Sequence, residues 1–402
     1  MWDNCYNYDT VREIRVKTTA YVGVGAIDRI GYILGNLKNE GVSSVLCVCG
    51  GHAYRASGAW DKAEAAALKQ GIVLALYNRV TPNPTTDIVN DAAALGRAVN
   101  AGAVLAIGGG SPLDCGKGAA ILLANPGKSA EDLFCFRFTP QKALPLVAVN
   151  LTHGTGSEVN RFAMVTVAGR NHRSIVGHDC SYPRYAIDDP ALMAGLSAEQ
   201  SRYVSIDALC RVVEASTTTM ANPLVVTLAS ETVRLVHACL PIVLAEPENL
   251  KARYGLCMAA LQAGVAFDNS LLHMAHALEQ PLSRFRDVPH GLALAMLLPA
   301  VIGECYAARP DVLAHVLAPL APGLKGEPDE ATAAAKAVED WLFSLGVNQK
   351  LLDLGVQESD VEEFCNFVEQ TPSLGLLLSV APVRSSRQRV ARIYTNSLRP
   401  MP

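Results

Sequence analysis

The sequence predicts an α/β domain built on a mostly parallel sheet, followed by an all-α domain, and three observations carry this. Short runs of Val, Ile and Leu alternate with helical patterns up to about residue 190. After "IDDPAL" the strand-like runs give way to long Ala- and Leu-rich helical stretches. Two loops of small and hydroxyl residues each follow an apolar run, where parallel strands of such a sheet end. The expected division is residues 1–192 for the α/β domain and 193–402 for the helical one.

Composition agrees with this and removes several alternatives. The 402 residues are half hydrophobic, enough to fill two cores. A net charge of −4 with no run of lysines or arginines leaves nothing to track a phosphate backbone, so nucleic acid is not an expected partner. The start, "MWDNCYNYDTVREIRVK", mixes charges and lacks an apolar segment and a small-residue cleavage site; the expected location is the cytoplasm. The longest uncharged apolar stretch, "GLALAMLLPAVIG" (291–303), is shorter than the roughly 20 residues that span a bilayer and contains Pro299. It reads as a buried helix, with no membrane partner. Eleven cysteines are scattered singly, and Cys47, Cys49, Cys210 and Cys257 lie inside apolar segments, which reads as reduced thiols rather than a disulfide framework. The "CVC" at 47–49 has the wrong spacing for a zinc knuckle.

Taken in order, "VLCVC" (45–49), "IVLALY" (72–77), "AVLAIGGG" (103–110) and "LPLVAV" (144–149) read as buried parallel strands. In "AIGGGSPLDCGKGAA" (106–120), Gly108, Gly109, Gly110 and Ser111 connect a strand to a helix, where exposed amides can hold a diphosphate. It is neither the G-x-G-x-x-G fingerprint nor a P-loop, since Lys117 lacks the upstream spacing. A tight strand-to-helix turn is the other reading of this segment. "NLTHGTGSEVN" (150–160) is a second such loop; a pair of them suggests one crevice with a nucleotide across it, although a turn alone accounts for either.

"LSAEQSRYVSIDALCRVVEAS" (196–216) opens with Ser197 and Gln200 at capping-box spacing and carries Asp207 and Arg211 on one helix face. They form either an ordinary ion pair or the altered remains of a metal site. "HMAHALEQPLSRFRDVPHG" (273–291) holds three of the nine histidines. His273 and His276 sit about one turn apart, and His290 follows Pro289 after a helix break. A lone histidine on an apolar helix is ordinarily a satisfied core residue; clustered with a buried aspartate it suits zinc or ferrous iron.

Together these segments resemble the iron-containing (group III) alcohol dehydrogenase family. The similarity is ordered along the chain: "TPNPTTDIV" (81–89), "GGGSPLDCGK" (108–117), "THGTGSEV" (152–159), "YAIDDPAL" (185–192), "IDALCRVVEA" (206–215) and "HALEQPLSRFRDVPHGLALAMLLP" (276–299). The resemblance implies a dinucleotide-binding domain, a helical domain, and hydride transfer between NAD or NADP and a carbonyl or alcohol in a cleft between them. It places the diphosphate on Gly108–Ser111, Thr152 and Thr155 along the cofactor, and Asp114 nearby. It also implies a homodimer.

The family's metal site, one aspartate and three histidines, falls on Asp207, His276 and His290, with Arg211 where the remaining histidine is expected. The family's nearby proton-transferring histidine falls on Gln280. A guanidinium has no lone pair to offer, and its charge repels a divalent cation placed within about 4 Å. Three readings follow: Asp207, His276 and His290 bind iron or zinc with Arg211 turned aside; Arg211 replaces the metal and polarises the carbonyl itself; or the chemistry is lost and only nucleotide binds. Protonation then falls to water or to His273, since Gln280 relays none.

Arg211, Arg284, Arg286, His153 and Arg161 suggest a short anionic aldehyde, for which surface charge or an ion pair such as Arg286 with Asp287 is the alternative. The resemblance narrows this to sulfoacetaldehyde or phosphonoacetaldehyde. The position that carries an acid in NAD-preferring relatives is Gly51, so NADP stays open beside NAD. Two other classes remain: a lyase of the related dehydroquinate synthase fold with NAD as a recycled cofactor, and a non-catalytic nucleotide-binding relative.

Overall fold

The computed structural model describes residues 9–169 and 172–402. The first part of the N-terminal stretch read for export signals, residues 1–8 of 1–17, lies outside the described residues. Six strands form one parallel sheet in the order β1-β8-β5-β4-β2-β3. They are β1 (Thr19–Val22), β2 (Ser44–Gly50), β3 (Val73–Val80), β4 (Ala103–Gly108), β5 (Leu146–Asn150) and β8 (Tyr185–Asp188). β6 (Phe162–Val167) and β7 (His172–Gly177) make a separate antiparallel pair. The four expected strands are β2 to β5. β1, β8 and the β6/β7 pair are not among them, because none is a continuous Val/Ile/Leu run.

The sheet is covered on both faces, as uninterrupted apolar strands require. Side chains alternate along each strand. Val45, Cys47, Cys49, Leu105 and Ile107 join one core with the helices Ile30–Asn39 and Ala59–Gln70. Leu46, Val48, Val104 and Ala106 join the other with Thr86–Ala98 and Gly110–Ala124. Each buried Val, Leu or Ile contributes about 1.5–3 kcal/mol relative to exposure, so these two layers hold the strand ends that carry the loops.

The helical unit contains Ala198–Thr217, Pro223–Ala245, Met274–Arg286, His290–Cys305 and the shorter helices that follow. The "GLALAMLLPAVIG" stretch is buried in His290–Cys305, as expected. Among the described residues, two helices, His290–Ala308 and Pro223–Ala245, are long and apolar enough to cross a bilayer.

The division at 192/193 needs correction. The sheet unit runs from Val16 to Ser197 and also takes Glu246–Gly264, while residues 9–15 belong with the helical unit. The physical reason is the packing of Leu250–Asp268, whose early turns sit on the sheet unit's loops. Arg253, fully buried, donates to His153 Nε2 (3.1 Å) and to the carbonyls of Pro247 (2.8 Å), Ala194 (3.4 Å) and Leu196 (3.5 Å). Gly264 meets Gly156 so closely that an added Cβ on Gly264 would lie 2.4 Å from the Gly156 carbonyl oxygen.

That backbone-to-backbone approach leaves no flexible atom to yield. Gly264→Ala is expected to lower the melting temperature by about 4–10 °C. Gly31→Ala, in a helix with open space around the added methyl, should leave it unchanged or raise it. Thermal denaturation of both variants checks this, and equal melting temperatures would contradict the packing described.

Candidate active site

β4, β5 and β8 end in register, with Gly108 beside Asn150 and Asn150 beside Asp188, so the loops that follow leave the sheet along one edge. The helix Gly110–Ala124 starts directly after β4 with Gly109 as its N-cap, and no side chain caps it. First-turn amides left in this way are suited to an anionic diphosphate. The second loop lies against the first: an added Cβ on Gly109 would sit 2.9 Å from Thr152 Cγ2, and one on Gly110 would sit 3.0 Å from Thr155 Cγ2. The structure therefore brings Gly108, Gly109, Gly110 and Ser111 together with Thr152 and Thr155.

Asp114 is engaged by the protein itself. Its Oδ1 accepts from Ser157 Oγ (2.7 Å) and its Oδ2 from the Met164 amide (3.0 Å). Lys117, fully buried, donates to Ser157 Oγ (2.8 Å), Asn160 Oδ1 (3.2 Å) and the Phe162 carbonyl (2.6 Å). Both residues hold the second loop in place. Gly51 lies one residue past β2, exposed, with nothing within 4 Å of an added Cβ.

In the helical unit, Asp207, Arg211 and Glu214 lie along one face of Ala198–Thr217, spaced four and three residues apart. His276 and Gln280 are on Met274–Arg286. Asp287 then turns the chain in a left-handed conformation (φ 50°), and His290 opens the next helix. This reversal brings the His276 and His290 ring centroids to 5.6 Å. Ligand atoms of Asp207, His276 and His290 all lie within 4.8 Å of one another.

The donor set fits a divalent metal. Asp207 Oδ1 is 3.2 Å from His276 Nε2 and 3.7 Å from His290 Nε2. Tetrahedral ligands about 2.0–2.1 Å from zinc stand about 3.3–3.4 Å apart. Each imidazole is backed by a carboxylate at its other nitrogen: His276 Nδ1 is 2.5 Å from Glu214 Oε2, and His290 Nδ1 is 3.1 Å from Glu279 Oε1. Such partners orient metal-binding histidines and raise their basicity. Sequence reasoning missed Glu214 and Glu279. The helical spacing of Glu214 from Asp207 and of Glu279 from His276 was the available signal.

Arg211 is not aimed away from Asp207. Its Nε donates to Asp207 Oδ1 at 2.8 Å, and its guanidinium lies 5.5 Å from the Phe267 ring centroid. Burial pushes the Asp207 carboxyl up, but the Arg211 charge and hydrogen bonds from His276 and His290 outweigh it and hold it well below the usual range. Burial pulls the His290 imidazole down, yet Glu279 and Asp207 lift it to about 9. His273 is 1% exposed, with Nε2 2.9 Å from Thr217 Oγ1 and Nδ1 3.3 Å from Glu214 Oε1. Its basicity is lowered, chiefly by burial. It stands behind Glu214, and Gln280 is buried one turn beyond His276.

The basic residues read as anion binders fare unequally. Arg286 pairs with Asp360 at 2.7 Å, not with Asp287. His153 is held neutral, pulled down to about 3 by burial and by the Arg253 charge. Arg284 lies over the Phe285 and Phe367 rings at 5.4 and 5.7 Å, and Arg161 over Phe162 at 5.1 Å. With Arg211 on Asp207, all five are engaged by groups of the protein.

Residues 17–190 match the family model described as iron-containing alcohol dehydrogenase, and residues 202–398 match the C-terminal model of the Fe-containing alcohol dehydrogenase family. The chain is 48% identical over 398 residues to a long-chain primary alcohol dehydrogenase, AdhA, of Thermoanaerobacter ethanolicus, covering 99% of this chain and 100% of that one. It is 33% identical to a 1,3-propanediol dehydrogenase of Klebsiella pneumoniae over 84% of this chain and 86% of that one. Among solved structures, a 1,3-propanediol oxidoreductase superposes with a TM-score of 0.87 at 30% identity, covering 96% of this chain and 100% of that one. A sulfoacetaldehyde reductase from Bifidobacterium kashiwanohense, in complex with NAD+, superposes with a TM-score of 0.82 at 25% identity, covering 97% and 99%. With a parallel-sheet unit, a helical unit and these matches over nearly its full length, the chain belongs to the iron-containing alcohol dehydrogenase family and is an oxidoreductase acting on CH–OH groups.

Proposed function

We propose that the chain interconverts a primary alcohol and its aldehyde with NAD or NADP, at a divalent metal held by Asp207, His276 and His290. The observation that carries this is the convergence of those three donors within 4.8 Å, each histidine backed by a buried carboxylate. A bound zinc or ferrous ion would supply Lewis acidity to the alcohol or carbonyl oxygen. The chain's own residues do the rest. Glu214 and Glu279 fix the imidazoles, Arg211 holds the Asp207 carboxylate, and the uncapped amides after Gly109 bind the diphosphate, with Thr152 and Thr155 beside them.

Charge favours a cation here despite Arg211. Asp207, Glu214 and Glu279 are 3%, 0% and 1% exposed, and Arg211 neutralises one of the three. Once His290 gives up the proton it otherwise carries below about 9, the centre is two positive charges short, which is the charge of one divalent ion. At an effective dielectric of about 20, a divalent ion about 4 Å from a unit charge interacts by about 8 kcal/mol. Repulsion from Arg211 is therefore offset by Asp207 at similar range, with further attraction from Glu214 and Glu279.

The second reading, in which Arg211 replaces the metal, draws on its 2.8 Å contact with Asp207. For substrate, the engagement of Arg286, His153 and Arg211 favours a neutral aliphatic aldehyde, in line with the similarity to a long-chain primary alcohol dehydrogenase. The anionic aldehyde reading rests on the likeness to a sulfoacetaldehyde reductase.

Nicotinamide oxidation with butanal, octanal and sulfoacetaldehyde tests the substrate class: the neutral aldehydes should turn over faster, and a preference for sulfoacetaldehyde would reverse the assignment. In the same assay Arg211→Ala should stay within about tenfold of wild type if a metal polarises the oxygen. A loss of about 10²–10³ is the signature of a charge acting in its place.

Gly51→Asp adds an acid where nothing obstructs it. It should cut kcat/KM for NADPH by at least about tenfold with little change for NADH, as repulsion of a 2′-phosphate requires. Equal effects on both nucleotides would place the ribose elsewhere.

Metal binding must displace the proton that His290 carries below about 9. Apparent affinity for cobalt or zinc should therefore rise with pH by up to about tenfold per unit and level off above that value. Metal titrations across pH 6 to 9.5 would show it, and a flat profile would remove His290 from the ligand set.

A further inference from the structure

Gly108 on β4, Asn150 on β5 and Asp188 on β8 stand side by side at the C-terminal edge of the sheet. Asn150 and Asp188 are 1% and 0% exposed. A backbone N–H can only donate, so the Asn150 atom that meets the Thr152 amide at 3.1 Å must be Oδ1. The same oxygen accepts from the Thr152 hydroxyl at 3.4 Å. Nδ2 is thereby turned to Asp188, whose Oδ1 accepts it at 2.8 Å.

The other carboxyl oxygen, Asp188 Oδ2, is buried and has no hydrogen-bond partner among the described residues. A buried carboxyl kept in this way calls for a use, and its one side-chain hydrogen bond fixes which way the Asn150 amide faces. Rotated by half a turn, that amide would set its NH₂ against the Thr152 N–H, donor against donor. Thr152 in turn presses on Gly109 at the start of the diphosphate loop.

We propose that Asp188, acting through Asn150, is a positioning residue that sets Thr152 against Gly109 and so shapes the nucleotide-binding loops. This rests on the reading above that the nucleotide lies on these loops. Asp188 touches neither nucleotide nor substrate in this account. Its effect is to orient the Asn150 amide, to which it is bonded directly, and through it Thr152, two hydrogen bonds away.

The pair can be tested by exchanging its members. Asn150→Asp alone opposes two carboxylates across β5 and β8, and should raise the Kd and KM for NADH and NADPH by about tenfold with kcat within about threefold of wild type. The double variant Asn150→Asp/Asp188→Asn returns an acceptor to Thr152 and a donor between the strands, so Kd should come back to within about threefold. A merely structural pair would shift melting temperature without this split between KM and kcat.

Nucleotide binding by Asn150→Asp as tight as wild type, or a double variant no better than the single one, overturns the proposal. If Asn150→Asp does not fold, Asn150→Ala carries the same expected rise in KM and the same contradicting result. Gly109→Ala separates the loop assignment from the role of Asp188, because its methyl would press on Thr152 directly. If it leaves binding of NADH and NADPH unchanged, the loop assignment falls and the proposal with it. If it weakens binding while Asn150→Asp does not, the proposal alone falls.

Discussion

A buried deficit of positive charge organises the helical unit. Three carboxylates, Asp207, Glu214 and Glu279, are withdrawn from water within reach of one guanidinium and three histidines. Burying an ion costs several kcal/mol even after relaxation, and an unpaired one is sustained only by neighbours that restore the lost solvation. Arg211 restores one charge, and the imidazoles face the remaining two. Neighbouring donors add to this: Glu214 also takes the Ala275 amide, and Glu279 takes the Ser283 hydroxyl at 2.8 Å.

Seen in this way, Arg211 is less a blockade than a change in coordination. A histidine at that position would be one more neutral donor; the arginine supplies charge and no lone pair. It draws on the same Asp207 oxygen that His276 and His290 approach. The proposed metal would then keep three protein ligands, a number common in catalytic zinc sites, with a position left for the reacting oxygen. The sheet unit adds its own constraint, since two loops converge only because Gly109 and Gly110 allow Thr152 and Thr155 to approach.

Much of this was legible in the sequence, for identifiable reasons. Uninterrupted apolar runs mark β2 to β5 because both faces of a parallel strand are buried. The spacing of Asp207, His276 and His290 was recognisable because ordered motifs preserve it. β1 and the Leu250–Asp268 helix were harder: an edge strand of four residues has little pattern, and membership of the sheet unit is decided by Arg253 and Gly264, which touch residues far away in the chain. Glu214 and Glu279 were overlooked because acidic residues on a helix ordinarily face water. Arg286 reads as an anion binder, with a pair to its neighbour Asp287 as the alternative, whereas the fold pairs it with Asp360, a contact no local pattern contains.

Metal content tests the central claim most directly. Elemental analysis of the protein purified without chelator, alongside its specific activity, measures whether the charge deficit is met by an ion. The account predicts about one divalent ion per chain, with activity proportional to occupancy. Fully active protein holding less than about a tenth of an equivalent would contradict it, and would leave Arg211 to supply the positive charge beside Asp207.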